Sequence, residues 1–328
     1  MKLSLKLFSM LGCATNRIKV LCILLSVVNM NDAFAQACCT SSVPMANNQL
    51  DFTREEVGLS IAVDYDYNYL NDLVSENVRL DDRLRERISH AVLFSTTYMI
   101  DSSWGVNITL PYSIKIESNT SLSSSNERFE NKVEGIADLS VFLKYQSRLT
   151  RKLFTVVSLG VKMPTGAIDH QNGETNILYA ADLQPGTGSW DGLAILEGVY
   201  QLNPRWSLTT GAGYTLTSTA SRFNDQVTYN FGNTLQVLAG GAYTYQMRAM
   251  TLSPSVNLRI RHSEKDISNG TPEPNTGGFW SYLQPAVQLN INNKWYLLVN
   301  TQIPIYRQLV GTQLTTTFRV RVGAKYVL

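Results

Sequence analysis

Residues 318–328 read F-R-V-R-V-G-A-K-Y-V-L, and this stretch decides the fold. Apolar side chains occupy every second position from Phe318 to Leu328, while arginine, glycine and lysine fill most positions between them. A side-chain period of two belongs to a β-strand, so one face of this strand is apolar and the other is largely cationic. The apolar face would contact a core in a soluble sandwich, or lipid in a transmembrane barrel whose polar face lines a wet lumen.

The same alternation recurs along the chain from residue 53 onward, with 57–69 and 206–216 as clear examples. Short connections, such as 101–103, alternate with long polar connections, such as 164–188. Outer-membrane barrels have short periplasmic turns and long outer loops, and an even strand number puts both termini in the periplasm. We therefore predict an all-β fold, a transmembrane antiparallel β-barrel of about 12 strands of the outer-membrane type.

Composition and aromatic placement favour the barrel over a soluble core. Charged residues make up 16% of the 328-residue chain, below the roughly 25% that is usual in soluble proteins. The chain has no apolar run of about 18 residues outside its N-terminus, which argues against a helical membrane protein. Trp104, Trp206 and Trp295 each follow a short connection, as expected of a periplasmic aromatic girdle.

The N-terminus has the pattern of a secretory signal peptide. Basic residues precede the apolar run 20–28, and Ala33-Phe34-Ala35 fits the small-x-small cleavage rule. We predict a signal peptide over 1–35, a periplasmic tail over 36–52, a barrel over 53–328, and export to the outer membrane of a Gram-negative bacterium. Cleavage would change the formal net charge from +2 to −1, so no general attraction to nucleic acid follows.

Cys38 and Cys39 are adjacent in the predicted tail, and the barrel region contains no cysteine. The absence of barrel cysteines suits a chain that crosses an oxidising periplasm. The pair could form a vicinal disulfide, bind a soft metal such as copper, or be an inert part of the tail. No cofactor is otherwise predicted.

Three short stretches carry a family resemblance. Residues 135–139 read G-I-A-D-L, residues 160–166 read G-V-K-M-P-T-G, and residues 184–191 read Q-P-G-T-G-S-W-D. In this order they resemble the outer-membrane transporter family named after the meta-pathway of phenol degradation, although the family pattern has glycine where Ala137 stands. The resemblance runs from about residue 130 to the C-terminus. It implies an outer-membrane barrel that takes up small, often hydrophobic compounds, and it implies no catalytic residues.

Strand parity assigns charged side chains to the predicted lumen. The lumen-lining candidates are Lys115, Asp138, Lys144, Lys162, Glu197, Arg259 and Arg261. The first and last strands must be neighbours in a closed barrel, so Asp64 and Asp66 should face Arg319 and Arg321 as ion pairs across the seam. The basic side chains could tune a channel toward anionic or polar-headed solutes, or they could belong to a charge-paired, packed interior.

Three functions remain open on the sequence. The first is a channel or transporter for small hydrophobic or amphipathic solutes, with outer-membrane lipid and the barrel assembly machinery as partners. The C-terminal strand, which is apolar outward with an aromatic near its end, resembles the assembly signal that this machinery binds. The second is a non-conducting structural or assembly barrel that binds a metal or partner through Cys38-Cys39. The third is a hydrolase, for which His90 beside Ser89 and His170 beside Asp169 are the candidates, but neither lies in a nucleophile motif. We predict that the protein is not an enzyme.

Overall fold

The computed structural model describes residues 55–82, 84–120, 128–223 and 227–328. The predicted signal peptide and Cys38-Cys39 lie outside the described residues, so both stay predictions. The barrel strands are β1 (Gly58–Ser75), β2 (Arg85–Met99), β3 (Trp104–Thr120), β4 (Ser140–Arg148), β5 (Leu153–Lys162), β6 (Asp191–Gln201), β7 (Trp206–Leu216), β8 (Thr234–Tyr243), β9 (Met250–Ser263), β10 (Gly278–Ile291), β11 (Trp295–Leu309) and β12 (Thr312–Val327).

These strands form one closed antiparallel barrel of 12 strands, which confirms the predicted fold class. Each strand pairs with its neighbour in sequence, and β1 pairs with β12 to close the ring. Apolar side chains such as Val63, Leu143 and Val322 point outward and are exposed, while polar side chains fill the interior. This inside-out arrangement suits a lipid surround. Among the described residues, no helix is long and apolar enough to cross a bilayer.

Several strands continue beyond their predicted ends at the long-loop end of the barrel. Residues 70–75 and 312–317 lie beyond the alternating stretches 57–69 and 318–328, yet they pair with each other as the upper parts of β1 and β12. Here Leu70, Leu73 and Leu314 are all buried. Both faces of this part of the wall are covered by protein, and the alternation that marks a lipid-facing strand is therefore lost.

Aromatic pairs mark the short-turn end. Trp104, Trp206 and Trp295 each begin a strand and are exposed. Each contacts a tyrosine on a neighbouring strand, with centroid distances of 4.7 Å to Tyr145, 4.9 Å to Tyr243 and 4.7 Å to Tyr326, respectively. Amphipathic rings at one level are typical of a membrane interface. Short turns are typical of the periplasmic side of outer-membrane barrels, so we call the short-turn end the periplasmic end.

The barrel wall is interrupted between β3 and β5. A separate strand, Arg128–Ile136, pairs with the upper half of β3, and β4 pairs with its lower half. Ala137, Asp138 and Leu139 form the break between them. The amide of Ala137 donates to the carbonyl of Pro111 at 2.8 Å, which keeps the two pieces in line. The break turns the buried Asp138 side chain toward the interior at the level where the outer loops begin.

The seam between β1 and β12 is closed by a cluster centred on Asp66. Arg319 Nε donates to Asp66 Oδ1 at 2.7 Å, and Arg321 Nη2 donates to Asp66 Oδ2 at 2.7 Å. The register places Asp64 opposite Gly323. Both seam arginines therefore contact the carboxylate of Asp66.

We expect Asp66→Asn to lower the free energy of unfolding by about 3 kcal/mol, because breaking a buried ion pair leaves its partners charged and buried. Urea unfolding of the barrel in lipid vesicles measures the effect. Asp169→Asn, at an exposed loop position, is the control. Equal unfolding midpoints for the two variants would contradict a stabilising role for the seam cluster.

Four short strands form a second sheet at the long-loop end: Ala220–Phe223, Val227–Asn230, Ile267–Ser268 and Thr271–Pro272. Buried Ala220, Tyr229 and Phe231 form its core. We call this four-stranded sheet the cap. Two shorter strands, Val78–Leu80 and Tyr245–Gln246, pair with the ends of β1 and β9, respectively.

Candidate transport pathway

The charged residues predicted for the lumen lie inside the barrel. Lys115, Lys144, Lys162, Glu197 and Arg259 are buried on the inner face, and Arg261 is partly buried there. Their partners divide them into three layers along the barrel axis. Lys115, Lys162 and Asp138 lie at the long-loop end, Arg259, Arg261 and Glu197 near the middle, and Lys144 near the short turns.

The outermost layer is the loop over residues 163–190, whose two ends are held by Asp138. Asp138 Oδ1 accepts a hydrogen bond from the Gly166 amide at 3.0 Å. Its Oδ2 accepts from the Thr187 amide at 2.8 Å and the Thr187 hydroxyl at 2.7 Å. Gly166 and Gly186 lie so close that a Cβ on either would collide with the other's backbone. The three motifs quoted above therefore meet at one point and fasten the loop.

Lys162 compensates the negative charge of the Asp138 carboxylate that holds the loop. Lys162 Nζ lies 3.7 Å from Asp138 Oδ2 and forms an ion pair with Asp191. Asp191 also accepts hydrogen bonds from the Ser189 hydroxyl at 2.9 Å and from the Ser218 amide at 3.2 Å. Two buried carboxylates thus share one buried ammonium group, and backbone donors satisfy their remaining oxygens.

The middle of the same loop is bound to the inner wall. Asp182 accepts a hydrogen bond from Arg87 Nη1 at 2.7 Å. Lys115 Nζ donates to the carbonyls of Asp182 and Gln184 at 2.8 and 2.7 Å. Leu183 and Gln184 are each only 1% exposed. The loop therefore folds against the inside of the barrel at its outer end, where a passing solute would meet it.

The cap covers this loop and depends on Asp266. Ile168, Leu178 and Ala181 of the loop pack against the apolar core of the cap. Asp266 accepts hydrogen bonds from the Tyr229 hydroxyl at 2.7 Å and the Gly232 amide at 2.8 Å. Burial raises the pKa of Asp266 above its ordinary value, although these two hydrogen bonds oppose the shift. Burial and the neighbouring Asp266 likewise raise the pKa of Tyr229.

We expect the cap to loosen as the pH rises from about 4 toward neutrality. An acid whose pKa is raised by folding binds more protons in the folded state, so stability falls as the pH rises through the window between the two pKa values. Hydrogen exchange of residues 227–232 and 264–276, corrected for intrinsic rates, measures this loosening. Asp266→Asn should abolish this pH dependence. An unchanged dependence in that variant would assign it to another group.

The middle layer has an apolar side and a cationic side. Phe142, Leu193, Ile195 and Leu238 form a buried cluster on β4, β6 and β8. Gly160 lies between Phe142 and Leu193 in the register, and a side chain there would collide with the Phe142 ring. Because Gly160 has no side chain, Phe142 of β4 and Leu193 of β6 can meet inside the barrel. We call these four residues the apolar patch.

The cationic side adjoins this patch. Leu238 of β8 is paired with Arg259 of β9, and Arg259 contacts the Gln236 side-chain oxygen. Arg261 lies over the ring of Trp280 at 4.8 Å. Arg259 and Arg261 therefore lie on the inner face of the same strand, β9. Two further lumen guanidinium groups, those of Arg319 and Arg321, contact Asp66 at the seam.

The innermost layer is a contact between the beginning of the described chain and β4. Glu55 is buried inside the periplasmic end of the barrel and forms an ion pair with Lys144. The Glu55 amide donates to Gln146 Oε1 at 3.0 Å, and Gln146 Nε2 donates to the Glu55 carbonyl at 2.8 Å. These reciprocal bonds hold the segment that precedes β1 inside the lumen.

A partly open cavity lies directly beside this contact. Its lining includes Glu55, Asp64, Asn107, Tyr296 and Lys325. Both polar and apolar groups therefore line the lumen next to the Glu55 contact.

The two hydrolase candidates lie in different parts of the barrel. Ser89 is buried on the inner face, whereas His90 belongs to the outer face and its Nδ1 lies 2.7 Å from the Tyr65 hydroxyl. Neighbouring strand residues point to opposite faces, so these two side chains cannot act together. The His170 amide donates to Gln184 Oε1 at 3.1 Å within the inner loop. In the described part of the chain, no group of three His, Cys, Asp or Glu residues could hold a metal ion.

Two contacts of the lumen were missed from the sequence. Arg87 and Asp182 are far apart in the chain, as are Glu55 and Gln146. The parity of β2 places Arg87 inward together with Ala91 and Leu93. Because Ala91 and Leu93 are apolar, the inward face of β2 does not show the usual polar pattern. The charge of Arg87 at an inward position was the available sign that it contacts another group inside the barrel.

The fold defines the class of protein, a 12-stranded β-barrel of the outer-membrane type. The family model described as "Putative MetA-pathway of phenol degradation" matches residues 82–261, more than half of the chain. The chain therefore belongs to this family, as its three motifs predicted.

Comparison with solved structures gives the same fold. The COG4313 outer membrane channel from Pseudomonas putida F1 is similar with a TM-score of 0.67 and 14% identity, over 85% of this chain and 98% of that chain. The beta domain of the Bordetella autotransporter BrkA is similar with a TM-score of 0.50 and 12% identity, over 83% of this chain and 100% of that chain. No curated protein matches the chain in sequence.

Proposed function

We propose that the protein is an outer-membrane channel that passes small hydrophobic or amphipathic solutes, after export through a cleaved signal peptide. The observation that carries the proposal is the layered lumen. It has an inner loop fastened by Asp138, an apolar patch next to arginines, and a cavity behind Glu55. A barrel with only a structural role would have no need for an apolar patch on its inner face.

The family and the fold support this proposal. Members of the family model are described by a degradation pathway for phenol, a small amphipathic molecule. The Pseudomonas putida structure with the same fold is described as a channel. The loop and the Glu55 contact close the two ends, so we propose a gated conduit rather than an open pore.

Planar-bilayer recording and liposome uptake test the proposal together. We expect small, infrequent current steps in wild type, and saturable uptake of phenol into liposomes that contain the barrel. Liposomes that contain heat-denatured protein are the control. The absence of both current and uptake, in a barrel that still migrates as folded on unboiled gels, would overturn the channel and favour a structural role.

A further inference from the structure

Buried hydrogen-bond donors collect beside the apolar patch. Arg259 is 3% exposed, and its Nε and Nη1 have no hydrogen-bond partner. The same holds for Gln236 Nε2 and Asn257 Nδ2. Buried donors are nearly always satisfied in native proteins, so a group of orphaned donors in one region indicates an acceptor that belongs there.

The neighbouring contacts fix which atoms remain free. Gln236 presents its oxygen to Arg259, and Asn257 Oδ1 accepts the Thr209 hydroxyl at 2.7 Å. Their amide nitrogens are therefore left to face elsewhere. Asn257 and Arg259 are two residues apart on β9 and share its inner face. An acceptor bound by these atoms would meet amide and guanidinium groups from two adjacent strands.

Charge gives the chemistry of this acceptor. Asp66 is one carboxylate between two guanidiniums, whereas the hydrogen bond that Arg259 makes among the described residues goes to a neutral amide oxygen. A guanidinium presents donors in a planar fork that matches a carboxylate. Water could satisfy the amides, but a carboxylate would also compensate the buried charge of Arg259.

The register gives the rest of the ligand. Leu238 lies directly across from Arg259, and Phe142, Leu193 and Ile195 continue the apolar surface away from it. A molecule with its anionic end on Arg259 would lay its hydrocarbon on the apolar patch. A glutamate, Glu197, lies on the far side of Leu238 at the same level, across Gly211, and would repel a second negative charge on the tail.

We propose, on the basis of the channel function proposed above, that the mid-lumen site binds a monoanionic amphiphile, a small carboxylate with an apolar tail. Arg259 binds the carboxylate, with Asn257 and Gln236 as further donors, and the apolar patch binds the tail. The site selects among the small amphipathic solutes that the channel accepts.

Isothermal titration of the refolded barrel with octanoate tests the site, with the empty carrier as the blank. We expect saturable octanoate binding in wild type, at least about tenfold tighter than binding of 1-octanol, which lacks the charge, or of acetate, which lacks the tail. Arg259→Gln should weaken octanoate binding by about tenfold or more and leave 1-octanol unchanged. Arg259→Lys should retain part of the affinity, because it keeps the charge without the fork.

Arg205→Gln, in a periplasmic turn, is the matched control and should bind as wild type does. Equal octanoate affinity in Arg259→Gln and Arg205→Gln would overturn the proposal. Equal affinity for acetate, inorganic phosphate and octanoate would overturn the role of the apolar patch, leaving a simple anion site. Binding is measured without current, so a failed channel would show as octanoate bound but no uptake. A failed site would show as uptake that does not depend on Arg259.

Discussion

Asp138→Ala is expected to raise the single-channel conductance severalfold. This carboxylate holds both ends of the inner loop, through Gly166 and Thr187, and it is only 2% exposed. Losing several hydrogen bonds to a charged group costs on the order of 3 kcal/mol or more, which shifts the loop toward a released state. The outer end of the lumen would then open, and current in planar bilayers would show it as longer and larger steps.

Glu134→Gln is the matched control for this change. Glu134 lies four residues earlier, and its ion pair with Lys132 is exposed on both sides, so its loss should have little effect. Circular dichroism and gel migration without boiling would check that both variants are folded. Wild-type conductance in a folded Asp138→Ala barrel would show that the loop is held by Arg87 and Lys115 alone.

Glu55→Gln is expected to open the periplasmic end and to shift the channel toward anions. Glu55 forms a buried ion pair with Lys144 at 2.5 Å. The substitution keeps the size of the side chain but removes its charge, so the segment before β1 is held less tightly. The positive potential at the inner mouth also rises, and counter-anions are concentrated there. The reversal potential in a KCl gradient measures this selectivity, and the conductance measures the opening.

Glu56→Gln provides an adjacent comparison, because Glu56 is exposed and Glu55 is buried. Equal changes in both variants would point to a general loss of negative charge near the mouth. An unchanged reversal potential in Glu55→Gln alone would mean that the Glu55–Lys144 contact does not control the inner mouth.

The wall of the barrel was predictable from sequence because lipid imposes a strict rule on it. Every residue such as Val63 or Val322 that faces hydrocarbon must be apolar, and its neighbours face water or protein. The rule stops at the bilayer surface. Residues 70–75 and 312–317 continue as strands above it, where Leu73 and Leu314 are covered by protein, and their pattern no longer reports a strand.

The interior was only partly predictable. Parity placed Asp138 and Lys162 inward, but it could not show that Asp138 binds Gly166 and Thr187, which lie 28 and 49 residues away. At the seam, parity placed Asp66, Arg319 and Arg321 on neighbouring strands, but it could not show that Asp66 contacts both arginines. Such contacts depend on how far a side chain extends into the lumen and on which loop it meets there. The alternation of apolar and polar residues shows only which face of the strand a side chain lies on.

The seam also bears on how the barrel is made. Before β1 and β12 meet, Asp66 on one edge and Arg319 and Arg321 on the other are charges at the open ends of an incomplete sheet. An unpaired charged side chain near hydrocarbon has a high free energy. Joining the edges neutralises these charges at the same moment as it completes the backbone ladder, so the last step of assembly is favoured twice. The β12 edge therefore carries both the backbone groups and the charges that are complementary to β1.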